Sequence, residues 1–438
     1  MSQFADIAFP TAVRRIFTYQ IPDALINSLQ PGMRVWVPLR KHTAIGMVVD
    51  VHDKTPDFDV RPIRRQLDKE PVLTDEMLTL TKWVHQFYYA SWGEVIQAAL
   101  PAGLNFYAKK VLQIGTDVPE TLSELQQEVI NAVRESDELT LKEAHKRWSG
   151  DDEEKALDQL IEKDILEVWE QPVQKVTPKM VKIWDWKTGS SRNKALDLIA
   201  GYREKDKMHK WVKALEKLTE LDLPEAQKNL TDHGLFNHYS LNRIADEGVI
   251  EAKEVPSHQV KPKLEYAPEK IKKLNLHQEA AFTTIRQAVE SDQYRGFLLH
   301  GVTGSGKTEV YIHALKYALE KNMGGLILIP EIALTPQTVR RFYQIFGNQI
   351  AVLHSRMSSR ERYDSWLALR TGEKKIAIGP RSAVFAPIHN LGLIVVDEEH
   401  DSSYKQVNPS PRYHARDVAV VRALFNEAAI VMGSATPS

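Results

Sequence analysis

Gly301-Val302-Thr303-Gly304-Ser305-Gly306-Lys307-Thr308 decides the fold of the last third of the chain. It satisfies G-x-x-x-x-G-K-[ST] in full, with the apolar run Phe297-Leu298-Leu299 before it and a helix-forming stretch, Thr308 to Glu320, after it. Residue by residue the stretch suits a polyphosphate. Gly304 and Gly306 let the backbone wrap phosphate oxygens without a Cβ clash. The N–H groups of Gly301, Val302, Thr303 and Ser305, with the start of the following helix, face an anion. Lys307 brings charge to the β- and γ-phosphates of ATP, and the Thr308 hydroxyl is a ligand for Mg²⁺.

Outward from this loop, apolar runs alternate with amphipathic segments: Gly296–His300, Gly325–Ile329, Ile350–Leu353, Ile376–Ile378, Leu393–Val396 and Ile430–Met432. Unbroken Val/Ile/Leu runs between helices predict a parallel sheet covered on both faces, an α/β P-loop lobe over 274–438. Leu393-Ile394-Val395-Val396 delivers Asp397-Glu398-Glu399-His400 at its carboxyl end, where open α/β sheets place ligands. Asp397 is the Mg²⁺ carboxylate, and Glu398 the candidate for orienting and deprotonating the attacking water. Gly433-Ser434-Ala435-Thr436 follows the last run; with His400, its hydroxyls Ser434 and Thr436 are candidates for coupling the γ-phosphate site to domain movement. Gln278 lies ahead of the first strand, and its amide can both donate to and accept from an adenine edge. A P-loop alone also fits a small-molecule kinase, which has no use for the other two motifs or for a separate N-terminal module.

The rest of the chain is different. Arg34–Leu39 and Ile45–Val51 are β-branched runs separated by a polar turn at Arg40-Lys41-His42. A helix is predicted over 74–88, with Thr74 as N-cap and Met77, Leu78, Leu80, Trp83, Val84 and Phe87 as its stripe. Residues 1–105 thus read as a small β-rich module with one helix. Residues 110–255 are helical with a weak internal repeat. Leu141, Glu143 and Ala144 followed by Ala156–Glu167 parallel Leu223, Glu225 and Ala226 followed by Ser240–Glu251. The layout fits two tandem winged-helix-type units, or two small helical bundles. Residues 256–273, with Pro256, Pro262 and Pro268, read as a linker.

Composition limits the alternatives. The 438 residues are 43% hydrophobic and 26% charged, the balance of a core-forming, multidomain protein. The formal net charge is −1, so any nucleic-acid contact depends on local basic surface. No Cys is present, which excludes disulfides and a Cys-ligated zinc site within these residues. No apolar run approaches the ~20 residues of a membrane span. The first residues lack a basic start and an apolar block, so a cytoplasmic protein with no membrane contact is expected.

The ordered set of Gln278, the P-loop, Pro330–Gln337, Gly379-Pro380-Arg381-Ser382, Asp397-Glu398-Glu399-His400 and Gly433–Thr436 resembles superfamily 2 helicases. More closely it resembles the PriA family, the bacterial primosomal helicases that restart stalled replication forks. Leu353-His354-Ser355, Asp397–Gln406 and Arg412-Tyr413-His414-Ala415-Arg416-Asp417 carry that resemblance. It implies an ATP- and Mg²⁺-dependent, 3′-to-5′ DNA helicase acting on forks, 3′ ends and single strands, with single-strand-binding and primosome or helicase-loader proteins as partners. It also implies that Arg381 meets DNA. The segment after His400 becomes an aromatic-rich DNA-sensing loop in which Tyr404 and Tyr413 stack on bases while Lys405, Arg412 and Arg416 meet phosphates. Residues 15–19 resemble the family's 3′-end-binding module, which implies that Phe17, Thr18 and Tyr19 hold a terminal nucleotide. Thr18 stands where the family often has Asp, a stronger acceptor for a 3′-hydroxyl. The family's second motor lobe and Cys-rich insertion have no counterpart here. The resemblance therefore implies an N-terminal piece ending after the Gly433–Thr436 motif, zinc belonging only to the absent part, and fork and nucleotide binding with little turnover.

Overall fold

The computed structural model describes residues 3–39, 42–101, 104, 108–115, 118–119, 121–136, 138–163, 165–172, 180–189, 191–205, 209–221, 223–232, 234–256, 269–291 and 293–437. They form two compact units: residues 1–175 with 405–421, and residues 176–404 with 422–438. The expected turn at Arg40-Lys41 and most of the expected linker lie outside the described residues.

In the first unit, β1 (Gln3–Ala8), β2 (Phe17–Ile21), β3 (Arg34–Leu39), β4 (His42–His52) and β5 (Arg65–Gln66) form an antiparallel sheet in the order β2-β1-β4-β3-β5. Alternation along the strands sends Ala5, Ile7, Tyr19, Ile21, Val35 and Val37 to one core. Two helices follow rather than the single one expected: α1 (Asp75–Phe87) and α2 (Trp92–Ala99). The Thr74 side chain caps α1 by accepting from Met77 N at 3.3 Å. Phe87 departs from the predicted stripe: it is 59% exposed and stacks on Trp83 with centroids 4.7 Å apart. Four residues after Trp83 on the helix, it reaches that ring but not the core.

Next come β6 (Ala108–Ile114), α3 (Glu124–Glu135), α4 (Leu141–Arg147), α5 (Asp151–Glu162) and β7 (Leu166–Pro172), with β6 and β7 paired antiparallel. The second unit opens with a similar pattern: β8 (Met180–Trp186), α6 (Ser191–Glu204), α7 (Lys210–Thr219), β9 (Glu225–Ala226), α8 (Gln227–Asp232), α9 (His238–Asp246) and β10 (Ile250–Pro256). Each stretch builds its own core, one around Trp148, Leu157 and Leu160, the other around Trp211, Leu215 and Leu241. They share one local pairing, although among the described residues the second stretch has four helices to the first's three. A bridge from Val111 to Thr140 precedes α4, as the pairing of Ile183 with Ala226 precedes α8.

The rest of the second unit is α10 (Leu276–Glu290), β11 (Arg295–His300), α11 (Lys307–Glu320), β12 (Gly324–Leu328), α12 (Pro336–Phe346), β13 (Ile350–Val352), α13 (Ser359–Arg370), β14 (Ile376–Gly379), β15 (Leu391–Val396), α14 (Ala415–Phe425, shared with the first unit) and β16 (Ala429–Ser434). All six strands are parallel, in the order β11-β16-β15-β12-β14-β13, as the continuous apolar runs predict. Ile327, Ile350, Ile378, Leu393, Val395 and Val431 carry the sheet's core, and Val310, Leu315 and Phe342 bring helices onto it. Among the described residues, no helix is long and apolar enough to cross a membrane.

Close approach in the N-terminal module gives a test. A Cβ on Gly93, in α2, would lie 1.7 Å from Phe9 O. Backbone cannot yield as a flexible side chain does. Gly93→Ala should therefore destabilise the chain by about 1–3 kcal/mol or more, read as a lower urea midpoint at unchanged slope. An unchanged midpoint would contradict this packing.

A candidate ATP site and a candidate DNA-end module

Five motifs of the lobe sit at the carboxyl ends of strands. The phosphate loop leaves β11, Pro330–Gln337 leaves β12, Gly379-Pro380-Arg381-Ser382 leaves β14, Asp397–His400 leaves β15 and Gly433–Thr436 leaves β16. β16 lies between β11 and β15, so three motifs meet. Gly301 N donates to Ser434 O at 3.1 Å, and Glu399 N to Gly433 O at 2.9 Å.

Gly304 and Gly306 adopt φ of 79° and 83°, which favours glycine. Beyond its own chain neighbours, nothing stands within 4 Å of where a Gly304 Cβ would be, so the space there is open. Lys307 Nζ donates to Gly301 O at 2.8 Å and lies 3.6 Å from Glu398 Oε1. Thr308 stands in the first turn of α11. Asp397 is held by its surroundings. Its N–H donates to Leu328 O at 2.9 Å, and Oδ1 accepts from the Tyr311 hydroxyl at 3.0 Å. Burial raises the Asp397 pKa above the usual carboxylate range, with the Tyr311 bond opposing it. Glu398 has φ of 45°, a left-handed conformation that costs a non-glycine residue of order 1–3 kcal/mol. Such strain at the residue beside this half-buried carboxylate fits a side chain aimed at a ligand. The Asp397 carboxylate and the Thr308 hydroxyl are hard oxygen groups of the kind Mg²⁺ takes. The coupling candidates also meet: His400 Nδ1 lies 2.7 Å from Ser434 Oγ, which accepts from Thr436 N at 3.1 Å.

Gln278 differs from the expectation. Its Oε1 accepts from Asn275 N at 3.0 Å in a capping box, and its Nε2 donates to Ser305 O at 3.0 Å. In this conformation Gln278 braces the phosphate loop, and each end of its amide keeps one further hydrogen-bonding position. Three further residues were not visible as functional in the sequence. Tyr311 reaches Asp397. Glu309 is buried and paired with Arg341, tying α11 to α12. Arg422 is 0% exposed and donates to Val384 O at 2.7 Å and Ala386 O at 2.8 Å, fixing the turn that follows Arg381. Arg381 itself donates weakly to Ser403 O at 3.4 Å.

Two aromatic expectations are corrected. Tyr404 is 0% exposed, its hydroxyl 2.6 Å from Asp397 O and 2.9 Å from Leu328 O. Tyr413 is 1% exposed. Both rings are buried, so neither presents a face for a base to stack on; two apolar rings gain more from burial than from water. Lys405 and Arg412 remain exposed, and Lys405 Nζ donates to Arg412 O at 2.9 Å. Within the first unit, residues 405–421 are fastened beside α1 and α2. Lys405 lies over the Tyr88 ring at 5.2 Å, the Tyr88 hydroxyl donates to Asp417 Oδ2 at 3.2 Å, and Ser410 Oγ donates to Glu94 Oε2 at 2.8 Å.

In the N-terminal module the three end-binding candidates do not share a face. Phe17 and Tyr19 turn toward the core, where Phe17 packs edge-on against Phe9 at 5.5 Å. Tyr19 is 5% exposed and donates its hydroxyl to Pro38 O at 2.8 Å, and burial pushes its pKa up to about 12. Thr18 turns to the opposite face, as strand alternation requires. There its hydroxyl donates to Asp6 Oδ1 at 2.7 Å, and His52 Nε2 lies 3.6 Å from the same oxygen. The carboxylate absent from position 18 is thus present one strand away.

Comparison with known proteins agrees with this arrangement. The profile of the 3′DNA-binding domain (3′BD) of PriA matches residues 6–101, and that of the DEAD/DEAH box helicases matches residues 275–438. Replication restart protein PriA of Bacillus subtilis (strain 168) is 33% identical, over 99% of this chain and 53% of that protein. PriA of Synechocystis sp. is 33% identical over 97% and 50%. PriA of Chlamydia trachomatis is 50% identical across 165 residues, 38% of this chain and 22% of that protein. The chain spans about half the length of the curated relatives it matches. With the 3′DNA-binding domain profile matched near its start, the DEAD/DEAH box profile matched at residues 275–438 and PriA sequences aligned across nearly all of it, the chain is similar to replication restart protein PriA along its whole length.

Proposed function

We propose that these 438 residues carry the DNA-end-reading and ATP-binding parts of a cytoplasmic 3′-to-5′ DNA helicase that recognises stalled or branched forks and promotes primosome assembly, alongside single-strand-binding and loader proteins. The observation that carries this reading is the meeting of the phosphate loop, Asp397-Glu398 and Ser434–His400 at the ends of three adjacent parallel strands. The loop N–H groups and the α11 N-terminus bind the phosphates. Lys307 exchanges Gly301 O for a phosphate oxygen. Thr308 and Asp397 hold Mg²⁺, which neutralises charge developing on the phosphates. Glu398, already near Lys307, orients the attacking water and receives its proton. The Ser434–His400 contact carries the state of this site into β16. In the N-terminal module, Asp6 and Thr18 supply the acceptor for a terminal 3′-hydroxyl. The domain reading is three-part: an end-binding module over 1–105, two tandem winged-helix-type units over 110–255, and the motor lobe over 274–438. Zinc belongs with the Cys-rich segment of longer relatives.

Three measurements test this. Lys307→Ala should lower MgATP affinity at least about tenfold, by loss of a charge-assisted contact, with affinity for forked DNA nearly unchanged; parallel loss of both in a folded variant would refute the division of labour. The chain should bind a 3′-hydroxyl end better than a 3′-phosphate end in fluorescence anisotropy. Asp6→Asn should cut that preference by roughly tenfold, because it removes both the strong acceptor and the repulsion of a terminal phosphate. Equal affinity for both ends in the unaltered chain would exclude the assignment. Finally, P-loop systems gain ~10³–10⁵ in rate from an arginine finger. The 438 residues alone should therefore bind forks and nucleotide yet hydrolyse ATP near background, and vigorous DNA-stimulated turnover would show that the arginine lies within them.

A further inference from the structure

We infer that Tyr311 is a positioning residue for the metal carboxylate and that Gly433 is the gap through which it acts; this rests on the reading of Asp397 as the Mg²⁺ ligand. Tyr311 lies four residues after Lys307 and three after Thr308 on α11, so the helix turns all three toward the same side. The ring is 2% exposed and belongs to the lobe's core, yet its hydroxyl reaches Asp397 Oδ1 at 3.0 Å on β15's carboxyl end. Getting there requires passing β16. A Cβ on Gly433 would lie 1.6 Å from the Tyr311 hydroxyl oxygen, 2.9 Å from Cζ and 3.4 Å from Asp397 Oδ1. Only glycine at 433 leaves room for the phenol.

The consequence is directional. A carboxylate with one oxygen committed to a buried phenol cannot rotate freely, and Oδ2 is left for other ligands. The phenol also joins α11, which starts at the phosphate loop, to β15, which ends at Asp397. Gly433 O accepts from Glu399 N and Ser434 O from Gly301 N, so the same two residues of β16 hold both neighbouring motifs. A shift of β16's carboxyl end therefore presses on the phenol and reaches the metal ligand without touching nucleotide. The hydroxyl is neither a ligand nor a proton carrier in this scheme. It fixes geometry, which is the service outer partners give to metal ligands.

The test uses the whole chain and a fluorescent ATP analogue titrated with Mg²⁺ and in EDTA. Tyr311→Phe should raise the Mg²⁺ concentration giving half of the metal-dependent gain in affinity by about tenfold, the usual consequence of losing a hydrogen bond to a charged group or its outer partner. Metal-free nucleotide affinity should stay as it was, while the melting midpoint should fall by no more than the loss of one buried hydrogen bond explains. Gly433→Ala should give the same metal defect by displacing the phenol, and Tyr311→Phe/Gly433→Ala should be no worse than Gly433→Ala, since both act through one hydroxyl. If Tyr311→Phe melts early, its metal-free affinity at a temperature below the transition still reports whether the phosphate loop is intact. Unchanged Mg²⁺ dependence in Tyr311→Phe, or full additivity of the two losses, overturns the inference. Asp397→Asn separates the levels: if it too leaves Mg²⁺ dependence unchanged, the assignment of Asp397 as metal ligand fails; if it alone abolishes the dependence, only the role of Tyr311 does.

Discussion

The arrangement rests on the parallel register of β11, β16 and β15. Leu299 pairs with Gly433 and His300 with Ser434, while Val396 pairs with Met432. Because all three strands run the same way, the chain leaves the sheet at one edge three times, and motifs far apart in sequence arrive within hydrogen-bond reach. The sheet's interior is almost wholly aliphatic, with Ile394, Val395 and Val396 at 0% exposure. That apolar filling makes the edge informative: Asp397 follows directly on Val396, and a carboxylate so placed must be satisfied by partners brought to it. Leu328 O receives its N–H, Tyr311 donates to its side chain, and the Tyr404 hydroxyl sits against its carbonyl. The same burial that tightens electrostatics at the site makes each partner costly to remove.

What the sequence made legible was what is local. The phosphate loop, the acidic tetrad and the six apolar runs are contiguous, and periodicity needs no tertiary information to be read. The failures share one cause: an aromatic ring in a sequence does not announce whether its face is wet. Tyr404 and Tyr413 look like stacking residues in a polar, Pro-containing loop, yet both are buried. Phe17-Thr18-Tyr19 reads as one pocket only if alternation is ignored; in β2 the flanking rings go one way and the hydroxyl the other. That error was avoidable from the strand period alone. Asp6 was not, because its relation to Thr18 depends on the pairing of β1 with β2. Tyr311 was half visible. Its spacing from Lys307 was in the sequence, but the neighbouring strand that needs a glycine was not.

Two stretches in the middle of the chain share part of a layout. Both stretches place a short pairing just before a helix, Val111 with Thr140 and Ile183 with Ala226, and both return on a long strand, β7 and β10. The first half of the letter match is out of register with this layout: Ala144 lies on α4, whereas Ala226 lies in β9 and Leu230 on α8 takes the helical place. The second half aligns Leu157 on α5 with Leu241 on α9, both buried.

Charge is distributed in the same economical way. A chain with net charge near zero can still bind a polyanion if its cations are held apart from its carboxylates where contact is made. Here some cations are withdrawn into structure: Arg422 is fully buried on two backbone carbonyls, and Arg341 is committed to Glu309. A buried guanidinium on carbonyl partners is rigid, and Arg422 grips the turn that begins at Arg381. Arg381 is then presented by a fixed backbone and not by a mobile loop. Arg381 is itself half-buried, and the contacts by which Arg422 fixes its backbone lie where ionic strength outside the lobe screens little.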